Sequence, residues 1–319
     1  MNYLITGGSG FIGYHLSNLL SKSKKNKIFI LDNLSRGKLD KDLKVLLKRS
    51  NVKLIKADLK KLNKKFLNIS FDIVYHFAAI VGVKNVTSKP YKVLEENILT
   101  TLKLIEFLKN KKKIKKFCFT STSEVYANTI LKEKKKIPTP EFIDLTISKD
   151  ITSRSTYLLS KIVGEYLCYF SDLPYIIFRP HNIYGPRMGN SHVIPELINK
   201  IKKIKDGEEL KIISHNHSRS FCYIDSAINM MYSISHKSNV KNKIFNVGSQ
   251  NNEIKIIELA KLIANKMNKR VKFKGHYVQS GSPRRRVPLM NKLNKYIKSN
   301  HISIDYGVEK TINWYLQNI

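Results

Sequence analysis

The first thirty-two residues constrain the fold more than any other stretch. Asn2 to Thr6 is a short apolar run, and Gly7-Gly8-Ser9-Gly10-Phe11-Ile12-Gly13 follows directly. Tyr14 to Ser21 then places Leu16, Leu19 and Leu20 at helical spacing, and Ile28 to Leu31 reads as a buried parallel strand ending on Asp32. Strand, glycine turn, helix, strand and terminal acid together describe a nucleotide-binding βαβ unit. Glycines permit a tight turn and a close backbone approach, so that the helix N-terminus can face a pyrophosphate. A carboxylate at the end of the second strand accepts hydrogen bonds from a ribose diol and repels a 2′-phosphate, which favours NAD over NADP. A glycine motif alone is weak evidence. Its flanking elements make it specific.

The alternation continues. Val52 to Asp58 reads as a third strand closing on an acid, and Phe71 to Ala79 as a fourth ending in small residues. Tyr91 to Asn110 has apolar positions Leu94, Ile98, Leu102, Ile105 and Leu108 on one helical face. Ile114 to Thr120 is a fifth strand, Ser155 to Phe170 a helix, and Tyr175 to Arg179 a sixth strand. Repeated strand and helix units predict an α/β fold with a doubly wound parallel sheet. After Pro180 the character changes to a turn-rich stretch through Gly189, a helix from Val193 to about Lys205, and a short strand from Leu210 to Ser214. A helix is expected from Ile254 to Met267, a basic cluster at Arg284, Arg285 and Arg286, and a last helix near Trp314. The expected division is a dinucleotide-binding domain over 1–180, with return segments near 222–250. Residues 181–319 are expected to form a smaller α/β lobe covering the ligand edge of the sheet.

Charge raises a competing reading. With 58 Lys and Arg against 24 Asp and Glu, the formal net charge is +34, a field that attracts polyanions such as nucleic acid or anionic membranes. Lysine, asparagine and isoleucine are abundant together throughout, as AT-rich codons produce. Lysines such as Lys22, Lys24 and Lys25 fall at helix-to-strand turns, where charge is easily solvated. A solvated surface is therefore preferred to a specific nucleic-acid site. The three cysteines, Cys118, Cys168 and Cys222, lie far apart without metal-ligand spacing, so a reducing compartment and no metal are expected. The chain opens on a strand with no room for a signal peptide, and no apolar run approaches the roughly 20 residues that span a bilayer. A cytoplasmic protein with no membrane partner is expected.

One pair stands out as chemistry. In Tyr157-Leu158-Leu159-Ser160-Lys161 a phenol and an ammonium stand four residues apart, which on a helix puts them on one face. A free tyrosine, with a pKa near about 10, is a poor base at neutral pH, and a fixed positive charge makes its phenolate accessible. Thr120 to Tyr126 lies at the carboxyl end of the fifth strand, where sites in open parallel sheets form.

Thr6 to Gly13, Asp32 to Gly37, Ala57-Asp58-Leu59, His76 to Ala79, Tyr157 with Lys161, Arg179-Pro180 with Asn182, and Arg219 to Asp225 together resemble the extended short-chain dehydrogenase/reductase family, specifically its NAD-dependent sugar-nucleotide epimerases, dehydratases and decarboxylases. The resemblance runs in order over essentially the whole chain. It implies that Tyr157 takes the proton from a sugar hydroxyl, usually at C4. Lys161 would hold the nicotinamide ribose and, with the cofactor's charge, lower the tyrosine pKa, while Thr122 hydrogen-bonds the same hydroxyl. Gly7, Gly10, Phe11, Ile12 and Gly13 would line the pyrophosphate, Asp32 and Asn33 the adenosine ribose, and Asp58 and Leu59 the adenine. Phe77, Ala78, Ala79, Asn97, Thr120, Pro180 and His181 would complete the NAD pocket. Ser123, Asn182, Val193, Arg219 and one or more of Arg284, Arg285 and Arg286 would bind a nucleotide-diphosphate sugar, with arginine forks matching the anionic oxygens. A homodimer is implied through the helices from Tyr91 and Ser155.

Thr122-Ser123-Glu124 bears on the second step. Many 4,6-dehydratases carry Thr-Asp-Glu, and Ser123 stands in the aspartate's place, whereas GDP-mannose dehydratases use a triplet like this one. Epimerases carry small residues there. The string Ser121 to Tyr126, with Asn182 to Met188, most resembles UDP-glucuronate decarboxylases, in which a 4-ketone makes the sugar a β-keto acid and Glu124 moves a proton or orients water. Sugar-nucleotide 4-epimerisation and 4,6-dehydration remain the alternatives, and polyanion binding the remote one.

Overall fold

Seven strands form one sheet in the spatial order Lys243–Val247, Tyr175–Pro180, Lys116–Thr120, Ile73–His76, Asn2–Thr6, Lys27–Asp32 and Val52–Lys56. The computed structural model describes residues 1–62, 69–109, 111, 114–133, 136–277 and 282–318. Every pairing from Tyr175–Pro180 across to Val52–Lys56 is parallel. The strands read as continuous apolar runs because helices cover the sheet, and Leu4, Val74, Phe117 and Ile177 are all within 1 % of complete burial. The order reverses between Asn2–Thr6 and Ile73–His76, and a crevice forms beyond the strand ends at such a reversal. This is the doubly wound, Rossmann-type α/β sheet.

The chain divides into two compact units. The first comprises Met1–Val125, Ile147–Arg179 and Ile228–Phe245, and the second Tyr126–Thr146, Pro180–Ala227 and Asn246–Ile319. In the first, the helices Pro90–Lys109 and Ser153–Tyr169 pack on each other. The latter starts where the Thr152 N–H donates to Ser155 Oγ at 3.2 Å, part of a capping box that satisfies first-turn donors. It lies close on the sheet because Gly164 has no side chain: a Cβ there would sit 2.3 Å from the Phe119 ring. A buried ion pair joins the same helix to its following strand, Arg179 Nε and Nη2 donating to Glu165 Oε1 and Oε2 at 2.8 and 2.5 Å. The second unit contains small sheets, among them Glu253–Lys255, Ser218–Ser220 and Arg285–Arg286 side by side.

Several expected boundaries shift. The first helix begins at Phe11 rather than Tyr14, because Gly10 serves as its N-cap. The third strand ends at Lys56, and Asp58 caps a short 3-10 turn, its Oδ1 accepting from the Lys60 N–H at 2.9 Å. Phe77 to Ala79 form a loop beyond Ile73–His76. The helix expected from Ile254 begins only at Ile256, because Glu253–Lys255 pairs antiparallel with Ser218–Ser220. The expected end of the Tyr91 helix at Asn110 lies outside the described residues. Among the described residues no helix is long and apolar enough to cross a membrane.

Candidate active site

The glycine turn leaves the first strand at Gly7 and opens the helix Phe11–Leu20. Gly7 has φ +68°, and its N–H donates to Leu31 O at 2.9 Å, so the turn is tied to the neighbouring strand. A Cβ on Gly7 would lie 2.6 Å from Ala78 N, and one on Gly13 would lie 2.5 Å from Gly7 O. Gly10 has no side chain to close the N-terminus of the helix Phe11–Leu20, so its first N–H groups point out of the turn toward an incoming anion. Asp32 stands beside it, Oδ2 accepting from Ser9 N–H at 3.1 Å and Oδ1 from Leu34 N–H at 2.8 Å. Each carboxylate oxygen keeps a further lone pair for a ribose hydroxyl. Asn33 is exposed, and its Oδ1 accepts from Ser35 N–H. The Leu59 side chain belongs to the core with Leu31 and Phe71, which leaves its main chain for a base. The bare turn, open helix end and carboxylate fit NAD.

At the end of the next strands the proton-transfer groups converge. Thr122 and Glu124 lie near enough to the Tyr157 phenol to act on it electrostatically, and the Thr122 hydroxyl accepts from the Glu124 N–H at 3.2 Å. Ser123 is buried between them in the chain, in a short 3-10 turn. Burial pushes the Tyr157 pKa up, the neighbouring Thr122 hydroxyl pulls it down, the Glu124 charge raises it, and the Arg36 guanidinium lowers it. Arg36, which carried no role in the sequence reading, also donates to Ala79 O at 3.5 Å. Lys161 Nζ is held by Thr120 O at 2.8 Å and lies 6.0 Å from the Tyr157 ring centre. Burial lowers its pKa to about 8, with Cys168 and Glu165 opposing. In the protein alone, therefore, burial outweighs the charges acting on the phenol.

That depressed lysine makes a linkage prediction. An unfolded lysine stays protonated up to about pH 10.4, so between about 8 and that value the unfolded chain binds more protons at this position than the folded one. The contribution of Lys161 to stability must rise with pH across that window. Thermal melts of wild type and Lys161→Met at pH 7, 8, 9 and 10 are expected to show their difference moving in favour of wild type as pH rises. A constant difference would mean that Lys161 titrates normally.

In the second unit Arg219 and Arg286 are register partners on adjacent strands. Both guanidinium groups donate to Ser282 Oγ, at 3.1 and 2.9 Å. Arg219 also donates to Arg284 O at 3.0 Å, and Arg284 lies over the Tyr277 ring at 5.7 Å. His217 is held below its usual pKa by burial and by Arg219, Arg284 and Arg286, which places three cations around one imidazole. Arg285 is turned elsewhere: its Nε and Nη2 donate to both Glu253 oxygens at 2.7 and 2.8 Å. Asn182 sits at φ +39° with Nδ2 donating to Ser220 O, and Val193 opens a helix. Pro180 ends its strand, and the following His181 N–H donates to Val247 O at 2.8 Å. Ser282, His217 and Arg36 carry no recognisable sequence signal, since their relevance comes from which neighbours they meet.

A Rossmann sheet with an open glycine turn, an acid at the end of the second strand and a Tyr/Lys helix fits an NAD-dependent enzyme. Residues 3–248 match the NAD dependent epimerase/dehydratase family, and the chain belongs to it. It is 34% identical over 273 residues to a dTDP-D-glucose 4,6-dehydratase of Dictyostelium discoideum, an alignment covering 82% of this chain and 61% of the relative. It is 29% identical to a UDP-N-acetyl-alpha-D-glucosaminuronate decarboxylase of Bacillus cytotoxicus over 98% of this chain and 97% of that protein. Among solved structures, a UDP-N-acetylglucosamine 4-epimerase from Methanobrevibacter ruminantium superimposes with a TM-score of 0.86 at 26% identity, covering 100% of this chain and 99% of that one. The chain is accordingly an enzyme of the NAD-dependent epimerase/dehydratase family.

Proposed function

We propose that the protein decarboxylates a UDP-uronic acid of the UDP-glucuronate type through a 4-keto sugar. The observation that carries this reading is the Glu124 carboxylate near the Tyr157 phenol, with Thr122 beside both. Dehydration needs an acid and a base at C5 and C6, and Ser123 stands where a second acid would act. Decarboxylation needs one proton donor. NAD, when bound, supplies the oxidant that takes the C4 hydrogen and returns it. Gly7, Gly10, Phe11, Ile12, Gly13, Asp32, Asn33, Asp58, Leu59 and Asn97 would hold it, with Phe77, Ala78, Ala79, Thr120, Pro180 and His181 completing the pocket.

Tyr157 removes the C4 hydroxyl proton while Thr122 orients that hydroxyl. Lys161 holds the ribose side of the cofactor. With a ketone at C4, the C5 carboxylate is β to a carbonyl: the bond from C5 to the carboxylate carbon breaks, carbon dioxide leaves, and its electron pair forms the enolate. Glu124 delivers a proton to C5, which restores the ketone. Arg219 and Arg286 would bind the diphosphate, with Asn182, Val193 and Ser123 about the substrate.

The arginine geometry makes a split prediction. Charge-assisted hydrogen bonds are worth about 1.5–3 kcal/mol each, so Arg219→Ala and Arg286→Ala are expected to raise the sugar-nucleotide KM by about 10- to 100-fold. Arg285→Ala, which removes a partner of Glu253, is expected to leave KM within about twofold. Equal effects at Arg285 and Arg286 would refute the assignment. The reaction is tested by incubating the protein with UDP-glucuronate, UDP-N-acetylglucosamine, UDP-glucose, dTDP-glucose and GDP-mannose and weighing the products. Loss of carbon dioxide supports the proposal. Unchanged mass with altered chromatography means 4-epimerisation, the reading favoured by the superposition on the Methanobrevibacter enzyme; loss of water means dehydration.

The same reading carries a cytoplasmic homodimer. Tyr91, Tyr166, Tyr169 and Phe170 are 63 to 75 % exposed on or next to the two packed helices, an apolar set that a second copy would cover. Sedimentation checks it.

A further inference from the structure

A buried chain of hydrogen bonds, centred on His76, runs from the glycine turn to the helix of Tyr157. Thr6, His76, Thr101, Asn97 and Ser160 are each at most 3 % exposed. The directions can be assigned. Thr101 Oγ1 donates to Asn97 O at 2.8 Å, so toward His76 Nε2, 3.0 Å away, that hydroxyl can only accept. His76 therefore carries its proton on Nε2, and Nδ1 accepts from the Thr6 hydroxyl at 2.7 Å. Thr6 Oγ1 in turn accepts from Ala78 N–H at 3.5 Å, at the place where the chain crosses over Gly7. On the far side, Asn97 Oδ1 accepts from Ile80 N–H at 2.7 Å, and Asn97 Nδ2 donates to Ile80 O and to Ser160 Oγ. Ser160 Oγ donates to Tyr157 O at 2.8 Å.

We propose that His76, as the neutral Nε2–H tautomer, is a positioning residue that locks the dinucleotide turn and the Tyr157 helix into one arrangement through Thr6, Thr101, Asn97 and Ser160. The donor and acceptor roles are fixed by the partners, so removing one bond leaves the buried polar group that made it unmatched. Burial together with the Lys161 charge holds His76 neutral, with a pKa lowered to about 3, so the assigned tautomer persists through the working pH range. The loop from Phe77 to Ile80 is clamped at both ends by the same chain. Thus NAD affinity and Tyr157 placement share one support. The link to Tyr157 rests on the proposed role of that residue as base; the link to NAD does not.

The test uses the whole protein with Thr101→Val, which keeps shape and deletes the acceptor of Nε2–H, and Thr101→Ser, which restores a hydroxyl. NAD binding by calorimetry is expected to weaken about tenfold in Thr101→Val, one lost buried bond at roughly 1.4 kcal/mol per tenfold, and to return within about twofold in Thr101→Ser. At saturating NAD the valine variant is expected to lose kcat with the sugar KM unchanged. In protein made with ¹⁵N-histidine, wild-type His76 is expected as the Nε2–H tautomer from pH 5 to 8. Unchanged NAD affinity in a folded Thr101→Val protein, or an Nδ1–H tautomer in wild type, overturns the proposal. If instead Tyr157→Phe remains fully active, the reading of Tyr157 as base fails, and the calorimetric and tautomer results still decide the role of His76.

Discussion

Tyr157→Phe is expected to lower kcat by about 10³-fold while leaving NAD affinity and thermal stability near wild type. The change removes one oxygen, and a positioned general acid or base contributes about 10²- to 10⁴-fold. Phenylalanine fills the same space, so packing is preserved. The discriminating result is a loss confined to the chemical step. Single-turnover measurement of C4 oxidation with bound NAD should show it directly, because any later step is reached only through the ketone. A variant that still forms the 4-keto sugar at the wild-type rate would remove Tyr157 from the mechanism. Activity is also expected to climb with pH in wild type, since burial raises the phenol's pKa and only its deprotonated form accepts the C4 proton.

Glu165→Ala is expected to destabilise the protein by about 3–5 kcal/mol, because it strands the Arg179 guanidinium in the interior. Both side chains are nearly inaccessible, at 6 and 3 %, and the pair is bidentate. On this chain length the melting temperature should fall on the order of 10 °C. The double variant Glu165→Leu with Arg179→Met exchanges the pair for apolar groups of similar volume and should recover most of the loss. A single variant no less stable than the double one would show that the interior tolerates the lone arginine. Glu165 also opposes the burial that depresses Lys161, so the double variant should be less able to keep that lysine charged near pH 8.

Much of this was legible from residue order. Alternating apolar runs located the sheet because a parallel strand buried on both faces must be apolar throughout, and Gly7 to Gly13 with Asp32 located its dinucleotide edge. Tyr157 and Lys161 shared a helix face through spacing alone. What escaped depended on partners distant in the chain. Ile254 and Lys255 carry helical spacing but pair with Ser218–Ser220, a preference set by the neighbouring strand. Three consecutive arginines are equivalent on paper, and only Glu253, thirty-two residues before Arg285, separates that one from Arg286. His76 stood in a motif without a role, because the roles of its two nitrogens follow from Thr6 and Thr101, seventy and twenty-five residues away.

The two backbone bonds at Asp32 restrict how cofactor preference can evolve or be engineered. Because one oxygen fastens the glycine turn and the other the loop after the strand, the residue proposed to repel a 2′-phosphate also holds its surroundings in shape. Removing the whole side chain would discard the selectivity and loosen the turn together. An asparagine keeps an acceptor for only one of those N–H groups, since its amide nitrogen offers hydrogens instead. A switch to NADP therefore has to be made by at least two coordinated changes, a neutral group at 32 and a new anchor for Ser9 or Leu34.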